Sequence, residues 1–357
     1  MKNFLILTSL ALLAGSGHAQ LEWTPYSGNP VAGATLDPNS NIYAPSVVMH
    51  QGKYHVFYTR KVPPKAENMG HAVSDDGLAW TLVDSIAVPL SSTATRFDCK
   101  QVGQATLISE GDTLKMWYWG SGPHGGNIGY AWSLDGKDWT RVEGPATDKS
   151  VYDIAMDGTS SPAIACPNVI KDGSGYKMWY SRVKVAGSVV SYVIGHASSP
   201  DGLVWTKVPG AGVGGAVLET GASDKFDGGL AFFSSVIKDG STYRMWYTGS
   251  DAAGDLTIGY ATSPDGIAWT KVPGSLAKGA VLLGATGSVM KSGEGFKMWY
   301  MGETGIDYAT SGLPVRLGIR ALPQAAQAMP GAMRFDSRGK RIGSASPRFP
   351  GLSFLRP

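Results

Sequence analysis

Four aspartates, Asp37, Asp98, Asp157 and Asp227, stand ahead of apolar, strand-like runs, and Glu303 follows Met301-Gly302 at the end of another. Carboxylates drawn from separate elements into one hollow can divide the work of bond cleavage. One donates a proton, one serves as base or nucleophile, and one orients the substrate and tunes the donor's pKa. Asp98 and Asp227 each follow a Phe and each lie ten residues before the Ile that closes the run, Ile108 and Ile237. Such repetition fits a structural role, accepting backbone N–H bonds where a strand begins. Asp157 falls in a non-repeating insertion, Met156 to Ser161, and is the preferred single acid. Arg60 and Arg182 offer planar forks for hydroxyls, a carboxylate or a phosphate, or for a neighbouring aspartate. Trp119 and His124 flank the loop Gly120-Ser121-Gly122-Pro123, whose glycines permit close approach of a ligand.

What must position these side chains is a repeat. Tyr54 to Tyr58, Leu114 to Tyr118, Tyr176 to Tyr180, Tyr243 to Tyr247 and Phe296 to Tyr300 are five versions of one alternating aromatic strand. Each is followed by a short strand: Gly70-His71-Ala72, Gly129-Tyr130-Ala131, Gly195-His196-Ala197, Gly259-Tyr260-Ala261 and Asp307-Tyr308-Ala309. Four of them continue through an Asp-Gly turn into an outer strand marked by Trp80, Trp139, Trp205 or Trp269. The fifth outer strand is missing after Thr310, and Leu21-Glu22-Trp23-Thr24 supplies it. The pattern predicts an all-β, five-bladed β-propeller of four-stranded antiparallel blades over 20–310, its ring closed by the mature N-terminal strand. The tryptophans are blade fasteners, and His71 and His196 are packed histidines. Inner strands start, and second strands end, on one rim. There the four aspartates meet Arg60, Glu67, Trp119, His124, Arg182, Asp251 and Glu303.

The phrase Met-Trp-Tyr-Thr-Gly, then Ile-Gly-Tyr-Ala-Thr-Ser-Pro-Asp-Gly-Ile-Ala-Trp, resembles the five-bladed propeller glycoside hydrolases. These are the arabinanase, xylosidase and invertase-like superfamily and the related mannoside phosphorylases. The resemblance spans about Trp23 to Thr310 and implies a carbohydrate ligand, with three carboxylates from inner strands converging on the propeller axis. This chain departs from that pattern. An aspartate directly before Pro-Ser-Val is replaced by Ala44, and the matching places read Gly103-Gln104-Ala105-Thr106, Cys166-Pro167-Asn168-Val169 and Phe233-Ser234-Ser235-Val236. Two functions stay open: cleavage of a glycosidic bond through Asp157 with Asp37, Asp98, Asp227 or Glu303, and non-catalytic glycan or cell-surface binding.

A net charge of +3 without a Lys/Arg run gives no reason to expect nucleic acid. Lys2, the apolar run Phe4 to Ala14 and Gly17-His18-Ala19 read as a secretory signal over 1–19, too short for a membrane span. The expected setting is secreted or at a bacterial cell surface, with the periplasm as the other destination of such a signal, and the expected state is a monomer. Cys99 and Cys166 either pair or stay separate thiols. No metal or cofactor motif is present. The tail, 311–357, resembles C-terminal sorting or anchoring appendages of secreted bacterial proteins, which would make secretion or cell-surface machinery a partner; a disordered tail is the other reading.

Overall fold

A computed structural model describes residues 21–312, except 39, 63–65, 160, 187–188 and 252–253. The signal segment and the tail from 313 lie outside the described residues. Five antiparallel sheets follow one another along the chain. Blade one comprises Asn41–His50, Lys53–Lys61, Asn68–Ser74 and Thr81–Asp84. Blade two comprises Gln101–Glu110, Thr113–Gly122, Gly125–Ser133 and Thr140–Val142, and blade three Ile164–Asp172, Gly175–Ala186, Val189–Ser199 and Thr206–Lys207. Blade four comprises Leu230–Asp239, Thr242–Ser250, Leu256–Ser263 and Thr270–Val272. Blade five is built from Ala285–Ser292, Gly295–Met301 and Gly305–Ser311, and its outer strand is the N-terminal Trp23–Pro25. Trp23 pairs with Ser311 and Pro25 with Ala309, so the ring closes as the repeat requires.

Tryptophan, glycine and turn form one device between blades. In the second strand, Trp117 Nε1 donates to Gly202 O of the next blade at 2.7 Å, Trp179 to Gly266 O at 2.9 Å and Trp299 to Gly77 O at 2.7 Å. A Cβ on Gly202 would lie 2.6 Å from the Trp117 ring, and the residue's φ is +82°, so sterics and backbone both demand glycine. The outer tryptophans complete the seam edge-on: Trp205 meets Trp117 at 6.3 Å between ring centroids, Trp269 meets Trp179 at 6.1 Å and Trp23 meets Trp246 at 5.9 Å. His71 is stacked on Phe57 at 4.1 Å, and His196 packs against Trp179, as expected of packed histidines.

Every inner strand carries a bulge near its start, between Tyr43/Ser46, Gly103/Thr106, Ala165/Asn168, Phe232/Ser234 and Ala285/Ser288. Ala44, Gln104, Cys166 and Phe233 occupy it with φ of 49°, 49°, 52° and 47°, a left-handed conformation uncommon for residues other than glycine. Hydroxyls from the preceding blade hold the bulged peptides: Gln104 N donates to Thr59 Oγ1 at 2.7 Å, Phe233 N to Ser181 Oγ at 3.0 Å and Thr286 N to Thr248 Oγ1 at 2.8 Å. In blades two and five Trp119 and Met301 stand where the other three have those hydroxyls. Cys166 N is accepted instead by Gln104 Oε1 at 3.2 Å.

Candidate functional site

The five bulges ring the head of an axial channel of about 400 Å³ lined by all five inner strands. Its upper ring is Ala44, Gln104, Cys166, Phe233 and Thr286. Among the described residues the lining contains no carboxylate, and Lys171 is its one charged side chain. Tyr43, Ala44, Trp119, Cys166, Phe232, Phe233 and Met301 form one buried apolar cluster, so Trp119 is buried rather than open to solvent.

The sequence-predicted aspartates are not in the channel lining. Each is buried beside the second-strand tyrosine of its own blade. Tyr58 Oη donates to Asp37 at 3.2 Å, Tyr118 to Asp98 at 2.8 Å and Tyr247 to Asp227 at 2.8 Å, and Tyr180 donates to Asp157. A cation completes each clasp. Arg60 grips Asp37 with two bonds, 2.6 and 2.8 Å, Arg141 reaches Asp98 at 2.8 Å, and Lys271 reaches Asp227 at 2.6 Å. Asp157 is paired with Arg182 at 3.4 Å and Lys207 at 3.5 Å. Burial works upward on the Asp37 pKa, but the hydrogen bonds and charge of Arg60 outweigh it and hold the carboxyl below its usual range. Arg182 also donates to Val213 O at 2.8 Å and Gly214 O at 2.7 Å. Both predicted arginines therefore serve these clasps.

Blade five departs from this plan. Its acid, Asp307, comes from the third strand itself, opposite Tyr300 and at the place where the other blades have glycine. Pro25 pairs with Ala309, where Arg141, Lys207 and Lys271 pair with the matching alanines. Burial, reinforced by the charge of Glu303, raises the Asp307 carboxyl to about 6. Glu303 itself is exposed. Glu67, fully buried at the seam between blades one and two, is also pushed up by burial, against the lowering effects of Tyr43 and Lys61. In the sequence the Gly-to-Asp exchange at 307 marks this departure, whereas Glu67 carries no signal beyond its place on the rim.

His124 lies elsewhere on that rim, in a cleft of about 480 Å³ over blades two and three. Asn127, Asp148, Asp153 and Thr159 also line it. Asp153 caps the short helix Ile154–Asp157, its Oδ1 accepting Met156 N at 2.8 Å. That helix turns Asp157 inward to Tyr180, so the insertion does form a cleft, but with Asp153 and Asp148 on its wall. Cys99 and Cys166 are separate free thiols.

No protein-family model matches the chain. The uncharacterized protein Rv1502 of Mycobacterium tuberculosis is 26% identical over 229 residues, covering 61% of this chain and 71% of that protein. Among solved structures, one from work on mannoside phosphorylases and glycoside hydrolases that target β-1,2 mannosidic linkages in Candida mannan superimposes with a TM-score of 0.63. It shows 15% identity over 88% of this chain and 98% of the other. β-1,2-Mannobiose phosphorylase from Listeria innocua gives 0.61 at 12% identity over 81% and 96% of the two chains. A glycosyl hydrolase from Bacteroides ovatus gives 0.61 at 12% over 84% and 95%. At these identities the likeness is one of fold, and the fold is the five-bladed propeller of glycoside hydrolases and mannoside phosphorylases.

Proposed function

We propose that this is an exported, carbohydrate-directed propeller that binds glycans on the rim where its inner strands begin, without cleaving them by axial carboxylates. The observation that carries the reading is the upper ring of the channel, Ala44, Gln104, Cys166, Phe233 and Thr286, which has no acid. Clasping of Asp37, Asp98, Asp157 and Asp227 by tyrosines and cations supports it further, because an acid–base pair has to reach a substrate. The propeller neighbours, titled as enzymes acting on glycans, support the ligand class. Export is read from Lys2, the apolar run Phe4 to Ala14 and Ala19. The test is affinity electrophoresis of the mature chain through gels containing plant and microbial polysaccharides, with reducing ends measured in parallel. Retardation without new reducing ends is expected. Absence of retardation on every polymer, or cleavage undiminished in Asp307→Asn, overturns the reading.

One observation favours a second reading. Asp307, raised to about 6 by burial and by the charge of Glu303, is moved in the direction a general acid needs, next to a second carboxylate. Reducing-end release that is lost in both Asp307→Asn and Glu303→Gln would establish hydrolysis from blade five.

A further inference from the structure

Resting on the carbohydrate-directed reading, we propose that the cleft over blades two and three is a subsite for a sugar bearing a free, protonated amino group. Asn127 is 2% exposed and lines the cleft. Its Nδ2 donates to Asp148 Oδ2 at 2.6 Å, a contact that fixes the amide orientation because an oxygen there would face a carboxylate oxygen. Among the described residues the amide Oδ1 is then a buried acceptor without a hydrogen-bond partner. Unsatisfied acceptors in a polar cleft call for a donor.

Charge narrows the class of donor. Asp148, 4% exposed, is held by Asn127, by Ser150 N at 3.1 Å and by Ser150 Oγ at 2.7 Å, all neutral groups. Among the described residues neither Asp148 nor Asp153 has a cationic partner, whereas the aspartates of the four clasps each have one. The nearest cations in sequence are directed elsewhere: Lys149 to Glu143 at 3.3 Å, and Arg141 to Asp98 at 2.8 Å. Two carboxylates and an acceptor amide, with the His124 ring at the wall, suit an ammonium group that donates three hydrogen bonds. Neighbouring sugar hydroxyls then fall to Thr159 and His124. An N-acetylated sugar lacks the positive charge and adds bulk at the same place.

Calorimetry of the mature protein against the glucosamine hexamer, the N-acetylglucosamine hexamer and mannohexaose tests the assignment. The glucosamine hexamer should bind at least tenfold more tightly than the other two, more weakly as sodium chloride rises. Asp153→Asn, which keeps a helix-capping side chain, should weaken it about tenfold. His124→Ala, at an exposed loop position, should weaken it less. Equal or tighter binding of the neutral hexamers, or affinity unchanged within about twofold in Asp153→Asn, overturns the subsite while leaving glycan binding intact. Saturable binding of calcium chloride alone that Asp153→Asn abolishes assigns the cleft to a metal cation and equally overturns it. Failure of all three hexamers and of the polysaccharide gels removes the parent reading as well.

Discussion

Replacing Arg60 by Met should unclasp the entry to blade one, and Leu82→Lys should restore it. Arg60 supplies two bonds to an aspartate that is 3% exposed, and removing one member of a buried pair leaves the other charge desolvated. Such losses run about 3–5 kcal/mol; the low end, about 3 kcal/mol, applies here because Tyr58 still donates to Asp37. The other blades show where a substitute cation fits. Arg141, Lys207 and Lys271 pair in register with Ala131, Ala197 and Ala261, and the residue paired with the matching Ala72 is Leu82. Blade one thus has its cation on the second strand because its outer strand offers leucine. Leu82 is 39% exposed, so a lysine there alone should change stability by less than about 0.5 kcal/mol. In the Arg60→Met background it should recover about 1–2 kcal/mol. Urea unfolding at neutral pH of the four proteins in the double-mutant cycle measures this coupling. Strict additivity, with the double variant as unstable as Arg60→Met, refutes the clasp as a transferable unit.

Burial first, then the charges of His55 and Lys137, push the His71 imidazole down to about 3, so the fold keeps it neutral. The unfolded chain takes up that proton below about pH 6.5, so the stabilisation is complete above that pH and is lost as pH falls, by about 2.7 kcal/mol at about pH 4.5. The unfolding free energy of wild type minus that of His71→Tyr, the residue type at Tyr130 and Tyr260, should shift by that amount between about pH 8 and 4.5; a constant difference refutes it. Gly202→Ala, blocked by the Trp117 ring and by a φ of +82°, should cost at least about 2 kcal/mol in urea melts. Trp299→Phe removes the 2.7 Å indole donor of the buried Gly77 carbonyl and should cost about 1–3 kcal/mol by the same measurement. Maleimide should label Cys99 in the native protein and spare Cys166, whose thiol burial pushes well above the ordinary range; two rapid labels per native chain would contradict this burial.

The propeller was legible because its residues obey one rule many times. A strand-two aromatic, a strand-three glycine and an Asp-Gly turn recur at matched positions, and the gap after Thr310 pointed to Trp23 at the other end. The repetition of Asp98 and Asp227 at matched distances also fits their shared clasp. Partners on the far edge of the same blade were not legible. Arg141 and Lys271 lie 43 and 44 residues from the acids they hold, inside outer strands that read as solvent-facing. Arg60, Arg182 and Asp157 stood out as departures, yet each departure is a different way of completing the same clasp. Asn127, Asp148 and Asp153 were not singled out, because a cleft made by an insertion lying over a neighbouring blade has no periodic signature.

The carboxyls that remain open to acid chemistry can be separated from those the scaffold consumes. A general acid at neutral pH needs its pKa raised toward the working pH, and burial moves the Glu67 and Asp307 carboxyls upward. They stand at different seams. The Glu67 carbonyl receives Val102 N of blade two at 3.2 Å, whereas Asp307 lies beside Tyr300, which packs into the cluster containing Trp246 of blade four. Glu67 faces Tyr43 and Lys61, which both lower its carboxyl. Asp307 has Glu303. Acid chemistry in this chain is therefore sought first in blade five, the blade whose outer strand carries Pro25 in place of a clasping cation.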